Sequence, residues 1–268
     1  MEFKDKVVVV TGGGSGIGLE TCFAFLEEGA HVLCIDIDTS TARSQCIFRT
    51  FMNHILGSIC FIESDILNAV KSKKAIERIL KEYGRIDVVI NNAAIQPLES
   101  YVPIHKLSGN LWDRILGVNL KGYFLMAKHC VPSMLKHGGG VIINIASVTA
   151  FAASKNIAAY AASKAGIISL TRSIALEYGD KNIRTVAICP GTIDTPLVRR
   201  TLSAQTHGMT FEEAKEKLGK VHPIGRVGTA QEVAATVLFC ASSRASFMTG
   251  SAVTVDGGLS AKGAWAVE

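Results

Sequence analysis

Short runs in which nearly every residue is apolar recur along the chain, separated by longer stretches with helical spacing. The first run is Lys6 to Thr11, with Val7-Val8-Val9-Val10 at its centre. Others are His31 to Asp38, Ile59 to Ile62, Ile86 to Ile90, Val141 to Ala146 and Arg184 to Ile188, with a last one inside Gly250 to Gly258. Continuous β-branched runs suit parallel strands buried on both faces. The stretches between them predict helices from Gly18 to a stop at Gly29, over 69–83 with a stop at Gly84, around Trp112 to Gly122, around Tyr160 and Lys164, and from Gln231 to Ala241. Residues 39–58 give no clear period, and 95–108, with two prolines, reads as a loop. The polar stretch 197–222, with helical character near 211–218, reads as part of a lid at about 192–222. Strands alternating with helices from end to end predict an α/β fold. The expectation is a single doubly wound Rossmann domain over residues 1–268, with about seven parallel strands, helices on both faces, and a switch point between strands one and four.

The turn after the first strand is Thr11-Gly12-Gly13-Gly14-Ser15-Gly16-Ile17-Gly18. Glycines let backbone approach a pyrophosphate, and the helix that follows offers free N–H groups to the anion. The spacing Gly12-x-x-x-Gly16-x-Gly18 differs from the common Gly-x-Gly-x-x-Gly, and a plain strand-to-helix turn is the competing reading. Asp36 ends the second strand eighteen residues past Gly18, near the spacing expected of an acid that holds the adenosine ribose. A carboxylate there repels a 2′-phosphate. Gly13, Gly14 and Ile37 offer no cation to welcome one, so NAD is favoured over NADP. Asp38 suits a helix cap better than Asp36 does. Asp65 can meet the adenine edge or cap the next helix, and those alternatives stay open.

Composition narrows the classes. The 268 residues are 48% hydrophobic and carry a net charge of +5, with basic residues scattered rather than banked. No nucleic-acid partner is expected. No stretch approaches the roughly 20 clean apolar residues of a membrane span. The charged start, Met-Glu-Phe-Lys-Asp-Lys, does not fit a signal peptide. The seven cysteines are odd in number and lack Cys-x-x-Cys spacing, so neither a metal site nor a disulfide framework is expected, and a reducing cytoplasm is.

Candidate chemistry lies further along. Tyr160 and Lys164 are four apart, which stacks them on one helix face. A neighbouring ammonium favours the phenolate, so such a tyrosine can exchange a proton with an alcohol or carbonyl oxygen. Ser147 ends an apolar run and can bond the same oxygen. Decoration of an amphipathic helix is the competing reading for the pair. Asn119 lies mid-helix amid apolar residues and needs a partner, which backbone or water can supply.

Together these residues resemble the short-chain dehydrogenases/reductases along nearly the whole chain. The match comprises Thr11-Gly-x-x-x-Gly-x-Gly18, Asp65, Asn91-Asn92-Ala93, Asn119, Ser147, Tyr160-x-x-x-Lys164, Pro190-Gly191 and Thr195, with thirteen residues from Ser147 to Tyr160. The resemblance implies Tyr160 as general acid/base, with Lys164 and the nicotinamide charge lowering its pKa and Lys164 also holding the nicotinamide ribose. It implies Ser147 as the group that orients the substrate oxygen, and Asn119 as the holder of a relay water. Asp36 would take the adenosine ribose, Asp65, Ile66 and Asn92 the adenine side, and Pro190, Ile193 and Thr195 the carboxamide. Ser15 and Ile17 in the glycine turn, Ala93 and Gly191 complete the expected cofactor contacts. Ala94 departs from the usual glycine of the Asn-Asn-Ala-Gly motif.

The resemblance also implies a homotetramer, built through the helices bearing Asn119 and Tyr160, acting on a small molecule. The expected reaction is hydride transfer between NAD(H) and a secondary alcohol or ketone. The alternatives are a 3-oxoacyl-carrier-protein reductase using NADPH, which Lys136-His137 followed by three glycines counts against, and a dinucleotide-binding regulator without chemistry. Intact Tyr160 and Lys164 count against the latter.

Overall fold

The computed structural model describes residues 1–51, 55–205 and 210–262. The expected seven strands are β1 (Val7–Thr11), β2 (His31–Asp36), β3 (Ser58–Glu63), β4 (Val88–Asn91), β5 (Gly140–Ile145), β6 (Ile183–Pro190) and β7 (Ala252–Val255). They form one parallel sheet in the order β3-β2-β1-β4-β5-β6-β7. The order reverses between β1 and β4, which opens a crevice at the strands' C-terminal ends.

The β-branched run of β1 explains its central place. Val8 and Val10 pack into the core on one face of the sheet with Phe23, Phe25 and Val237. Val7 and Val9 pack on the other with Ile76, Ile79 and Met126. Alternate side chains thus feed two cores, as a strand covered on both sides requires. The first core is closed by α1 (Gly16–Glu27) and α9 (Ala230–Ala241), and the second by α3 (Ala69–Tyr83) and α5 (Gly122–Lys136). Among the described residues no helix is long and apolar enough to cross a membrane.

Two stretches differ from the sequence reading. Residues 39–58 hold a helix, α2 (Ser40–Phe51), started by Asp38, whose carboxylate accepts from Ser40 N at 2.8 Å. Its pattern is masked because Ile47 and Phe48 point outward at 67% and 69% exposure. The polar segment holds α7 (Pro196–Gln205) as well as the expected α8 (Phe211–Gly219). Asp65 does not cap α3: its carboxylate closes a turn onto Leu67 N, while Asn68 caps the helix through Val70 N and Lys71 N. His207 and Trp265 lie outside the described residues.

Candidate active site

A cleft of about 440 Å³ opens where the strand order reverses. The glycine turn forms one wall. Gly12 has φ +64°, and a side chain there would come within 2.7 Å of Ala93 Cα and 2.8 Å of Asn92 Nδ2. Asn92 fixes this approach by donating to the carbonyls of Thr11 (3.1 Å) and Gly12 (2.9 Å). Its own N–H and that of Ala93 are taken by the Thr11 hydroxyl. Gly16 has φ +55° and faces Thr195 and Pro196 across the cleft. α1 then begins at Gly16 with no side-chain cap, so its first N–H groups remain open to an anion.

Asp36 stands at the end of β2 on the same cleft. Its carboxylate accepts from Gly14 N (2.8 Å), Ile37 N (2.7 Å) and Asp38 N (3.3 Å). Its hydrogen-bond donors are backbone amides, and no salt bridge to it is formed among the described residues. Every expected cofactor contact lines the cleft except Gly18. That glycine lies beneath it: a side chain would strike the carbonyl of Gly12, so its role is the close packing of α1 on β1. Ser64 went unnoticed in the sequence. Its hydroxyl is buried without a hydrogen-bond partner and lines the end of the cleft next to Asp65 and Ile66. Only its position before Asp65 could have flagged it. Backbone cradle, uncapped helix start, ribose-height acid and orphan hydroxyl all fit a dinucleotide.

The opposite wall carries Ser147, Tyr160 and Lys164. β5 delivers Ser147, and α6 (Ala158–Tyr178) delivers Tyr160 and Lys164. Lys164 is 1% exposed, and its ammonium donates to the carbonyl of Ile145 at 2.7 Å. Tyr123 donates to the same carbonyl at 3.3 Å and supports the lysine from below, a residue no motif pointed to. Lys164 Nζ stands 5.5 Å from the Tyr160 ring centroid.

The expected electrostatic effect takes the other sign here. Burial pushes the Tyr160 phenol up to about 12, with the nearby Tyr101 phenol adding to the rise and a hydrogen bond with Ser147 opposing it. Burial also brings Lys164 down to about 7, so the lysine is not a full positive charge at neutral pH. The nearby ammonium favours the phenolate, but desolvation of both groups opposes either charge and outweighs it here.

Asn119 is fully buried but does not line the cleft. It sits in a widened, π-helical turn (Gly117–Lys121) between α4 (Gly109–Leu116) and α5. Its side chain accepts from Ile95 N (2.8 Å) and donates to Ile95 O (3.1 Å) and Ser163 Oγ (3.2 Å). Backbone and a serine supply the partners it needed, and it fastens the loop beside the site to α6. Ala94 lines the cleft beside Ala93. Above the site, Tyr101 donates to Thr201 Oγ1 on α7 at 3.3 Å, which joins the 95–108 loop to that helix. Among the described residues no group of three metal-ligating side chains gathers.

A family model described as enoyl-(acyl carrier protein) reductase matches residues 12–260. The structure of an aldohexose dehydrogenase from Thermoplasma acidophilum superposes with a TM-score of 0.88 at 40% identity, covering 99% of this chain and 98% of that one. A cyclohexanol dehydrogenase from Acinetobacter sp. is 36% identical over 261 residues, 97% of each chain. A 3-oxoacyl-(acyl-carrier-protein) reductase from Thermotoga maritima is 35% identical over 262 residues, 97% of this chain and 99% of its own.

Proposed function

The chain belongs to the short-chain dehydrogenase/reductase family, oxidoreductases that use a nicotinamide cofactor, and from that premise we propose that it transfers a hydride between NAD(H) and a secondary alcohol or ketone. The observation that carries this reading is one cleft with Ser147, Tyr160 and Lys164 on one wall and a dinucleotide-shaped backbone cradle on the other. Asp36 favours NAD, since its carboxylate opposes a 2′-phosphate and no salt bridge to it is formed among the described residues.

The nicotinamide, when bound, supplies the hydride acceptor and, in its oxidised form, a positive charge. The chain supplies position and proton transfer. Ser147 and Tyr160 converge on the substrate hydroxyl, and Tyr160 Oη takes its proton as the C–H bond breaks. Reduction runs the same proton the other way. Lys164, anchored on Ile145 O, is the group beside the phenolate that can share its proton. In the cofactor-free protein burial opposes the phenolate, so the reading needs the added charge to bring Tyr160 down from about 12. Asn119 keeps the 95–108 loop and α6 in register around the site.

In the same reading residues 1–268 act as one catalytic unit in the cytoplasm, as a homotetramer, with about 192–222 as its lid. The second reading, carrier-linked 3-oxoacyl reduction with NADPH, draws on the carrier-protein description of the family model and on the Thermotoga maritima relative. Turnover with NADH against NADPH separates the two. The central test is Tyr160→Phe. Loss of the general acid/base costs typically about 10²–10⁴-fold in turnover, with NADH binding retained. A variant that turns over near the wild-type rate overturns the mechanism.

A further inference from the structure

His222 belongs to no motif used above. It is 2% exposed and sits between α8 and α9. Its Nδ1 lies 2.9 Å from the carbonyl of Leu218, and its Nε2 lies 3.2 Å from the amide of Thr192. A carbonyl only accepts and an amide N–H only donates, so Nδ1 carries the hydrogen and Nε2 is bare. Both partners select one neutral tautomer. Gly191 packs against the same ring: a side chain there would stand 3.1 Å from Nε2 and 2.9 Å from Asp256 Cα. Ile224 N bonds Gly257 O at 3.1 Å, and Gly191 N bonds Val255 O at 3.0 Å. The imidazole therefore joins the loop after β6, whose Pro190, Gly191, Ile193 and Thr195 line the cleft, to the end of α8, while the backbone bonds of Ile224 and Gly191 hold β7 and its turn alongside.

We propose that neutral His222 is a positioning residue that sets the Pro190–Thr195 loop for the nicotinamide end of the dinucleotide, so that cofactor affinity falls when His222 takes up a proton. The inference rests on the dinucleotide reading above. Protonation puts a hydrogen on Nε2, where the lone pair met Thr192 N–H. Donor then faces donor, and the loop must move. Asp256 is the charged group facing the ring from the turn after β7, and it is already engaged by Gly258 N (3.0 Å) and Ser260 N (2.8 Å). On the ring's own segment Lys220 is paired with Glu216 and Arg226 with Glu232. Asp256 cannot restore an acceptor for Thr192 N–H once Nε2 carries a hydrogen.

The experiment uses the full chain without relying on turnover. NADH binding is followed by nucleotide fluorescence from about pH 5 to 9, the range that brackets an imidazole titration. Wild type should lose affinity as pH falls, by roughly three- to tenfold, the worth of one backbone hydrogen bond. His222→Gln places an acceptor oxygen near the Nε2 position and cannot titrate, so its affinity should match wild type at high pH and stay level. His222→Asn keeps a donor for Leu218 but has no acceptor in reach of Thr192, so its affinity should be low and level throughout. A merely structural histidine would lower Tm in both variants and leave the pH profile in place. An unchanged low-pH loss in His222→Gln overturns the proposal. If the variants do not fold, ¹⁵N-histidine NMR of the wild type decides it. A Nε2–H tautomer at high pH, or a titration of His222 that does not track the loss of NADH affinity, sinks it. NADH that binds at no pH sinks the dinucleotide reading itself.

Discussion

Two of the walls around the cleft are built on different principles. The wall from β1 to β4 is backbone against backbone: Gly12 lies on Ala93, Gly18 on the Gly12 carbonyl, and Asn92 ties the contact with two hydrogen bonds. The wall after β6 is held by side chains. Asp194 grips Arg199 of α7 and Lys215 of α8, each at 2.7 Å, and Tyr101 reaches Thr201. A backbone contact tolerates no added carbon. A pair of long charged side chains can break and re-form at small cost. The first arrangement suits a cofactor that is the same at every turnover, and the second suits a cover that must open for substrate.

The largest effect is expected at Gly18. Gly18→Ala drives a methyl into the Gly12 carbonyl, where neither partner is a flexible side chain. Overpacking typically costs about 1–3 kcal/mol, more against rigid backbone. We expect a Tm drop of several degrees and NADH affinity reduced by about 10²-fold or more, read by thermal melting and nucleotide fluorescence. Gly109→Ala is the control: nothing lies within 4 Å of a side chain there, so Tm should hold or rise slightly. Equal losses in both would show that the first wall is not as tightly built as claimed.

Lys164→Met comes next and separates stability from function. The folded protein holds this lysine at about 7, below its unfolded value. Below about pH 7 folded and unfolded chains both carry the proton, and the fold bears the full cost of a buried charge. Between about 7 and 10 the unfolded chain binds more protons than the folded one, so wild-type stability rises with pH. The methionine variant should therefore melt higher than wild type at pH 6, by a few degrees. That gain should shrink toward pH 9, while turnover falls at least about 10²-fold. A gain that grows with pH would reverse the sign assigned to this group.

A smaller effect is expected at Asp36. Asp36→Ala removes the carboxylate that opposes a 2′-phosphate, and the ratio of NADPH to NADH turnover should rise by roughly tenfold. An unchanged ratio would mean that Asp36 is not the selector.

These differences also explain what could be read in advance. Val7 to Val10 announced a strand covered on both faces, and the glycines announced themselves because few residues fit where backbone touches backbone. That Tyr160 and Lys164 share a helix face followed from their spacing, and that Ser147 joins them was what the resemblance implied. What stayed hidden depends on partners distant in sequence. α2 was obscured by the outward Ile47 and Phe48, and α7 by a start at Pro196 followed by Arg199 and Arg200. The Ser64 hydroxyl, Tyr123 beneath the lysine and His222 beneath the loop carry no local signature. The burial that raises the Tyr160 phenol was not legible either, because spacing reports which charge is near and not how much water has been removed.

The least expected effect, and the one that most sharpens the contrast, is at Asp194. Its backbone N–H bonds Gly228 O at 2.9 Å, so the residue is fixed within the loop that lines the cleft. Its carboxylate is 14% exposed and lies below the usual aspartate range because Arg199 and Lys215 hold it. Arg199 is 59% exposed and Lys215 33%, so solvent screens both pairs and the stability they add is about 1 kcal/mol or less. That contribution is present above the ordinary aspartate range and is lost as pH falls through the lowered folded value, so neutral conditions leave it intact. Asp194→Asn keeps the shape and removes the charge. Tm should move by no more than a degree or two, while KM for the substrate rises roughly threefold as α7 and α8 spend more time apart. About 0.5 M salt should reproduce part of that rise in wild type and add little in the variant, because screening acts on the same pairs. If Asp194→Asn instead lowers Tm as far as Gly18→Ala does, the second wall is as structural as the first and α7–α8 is no lid.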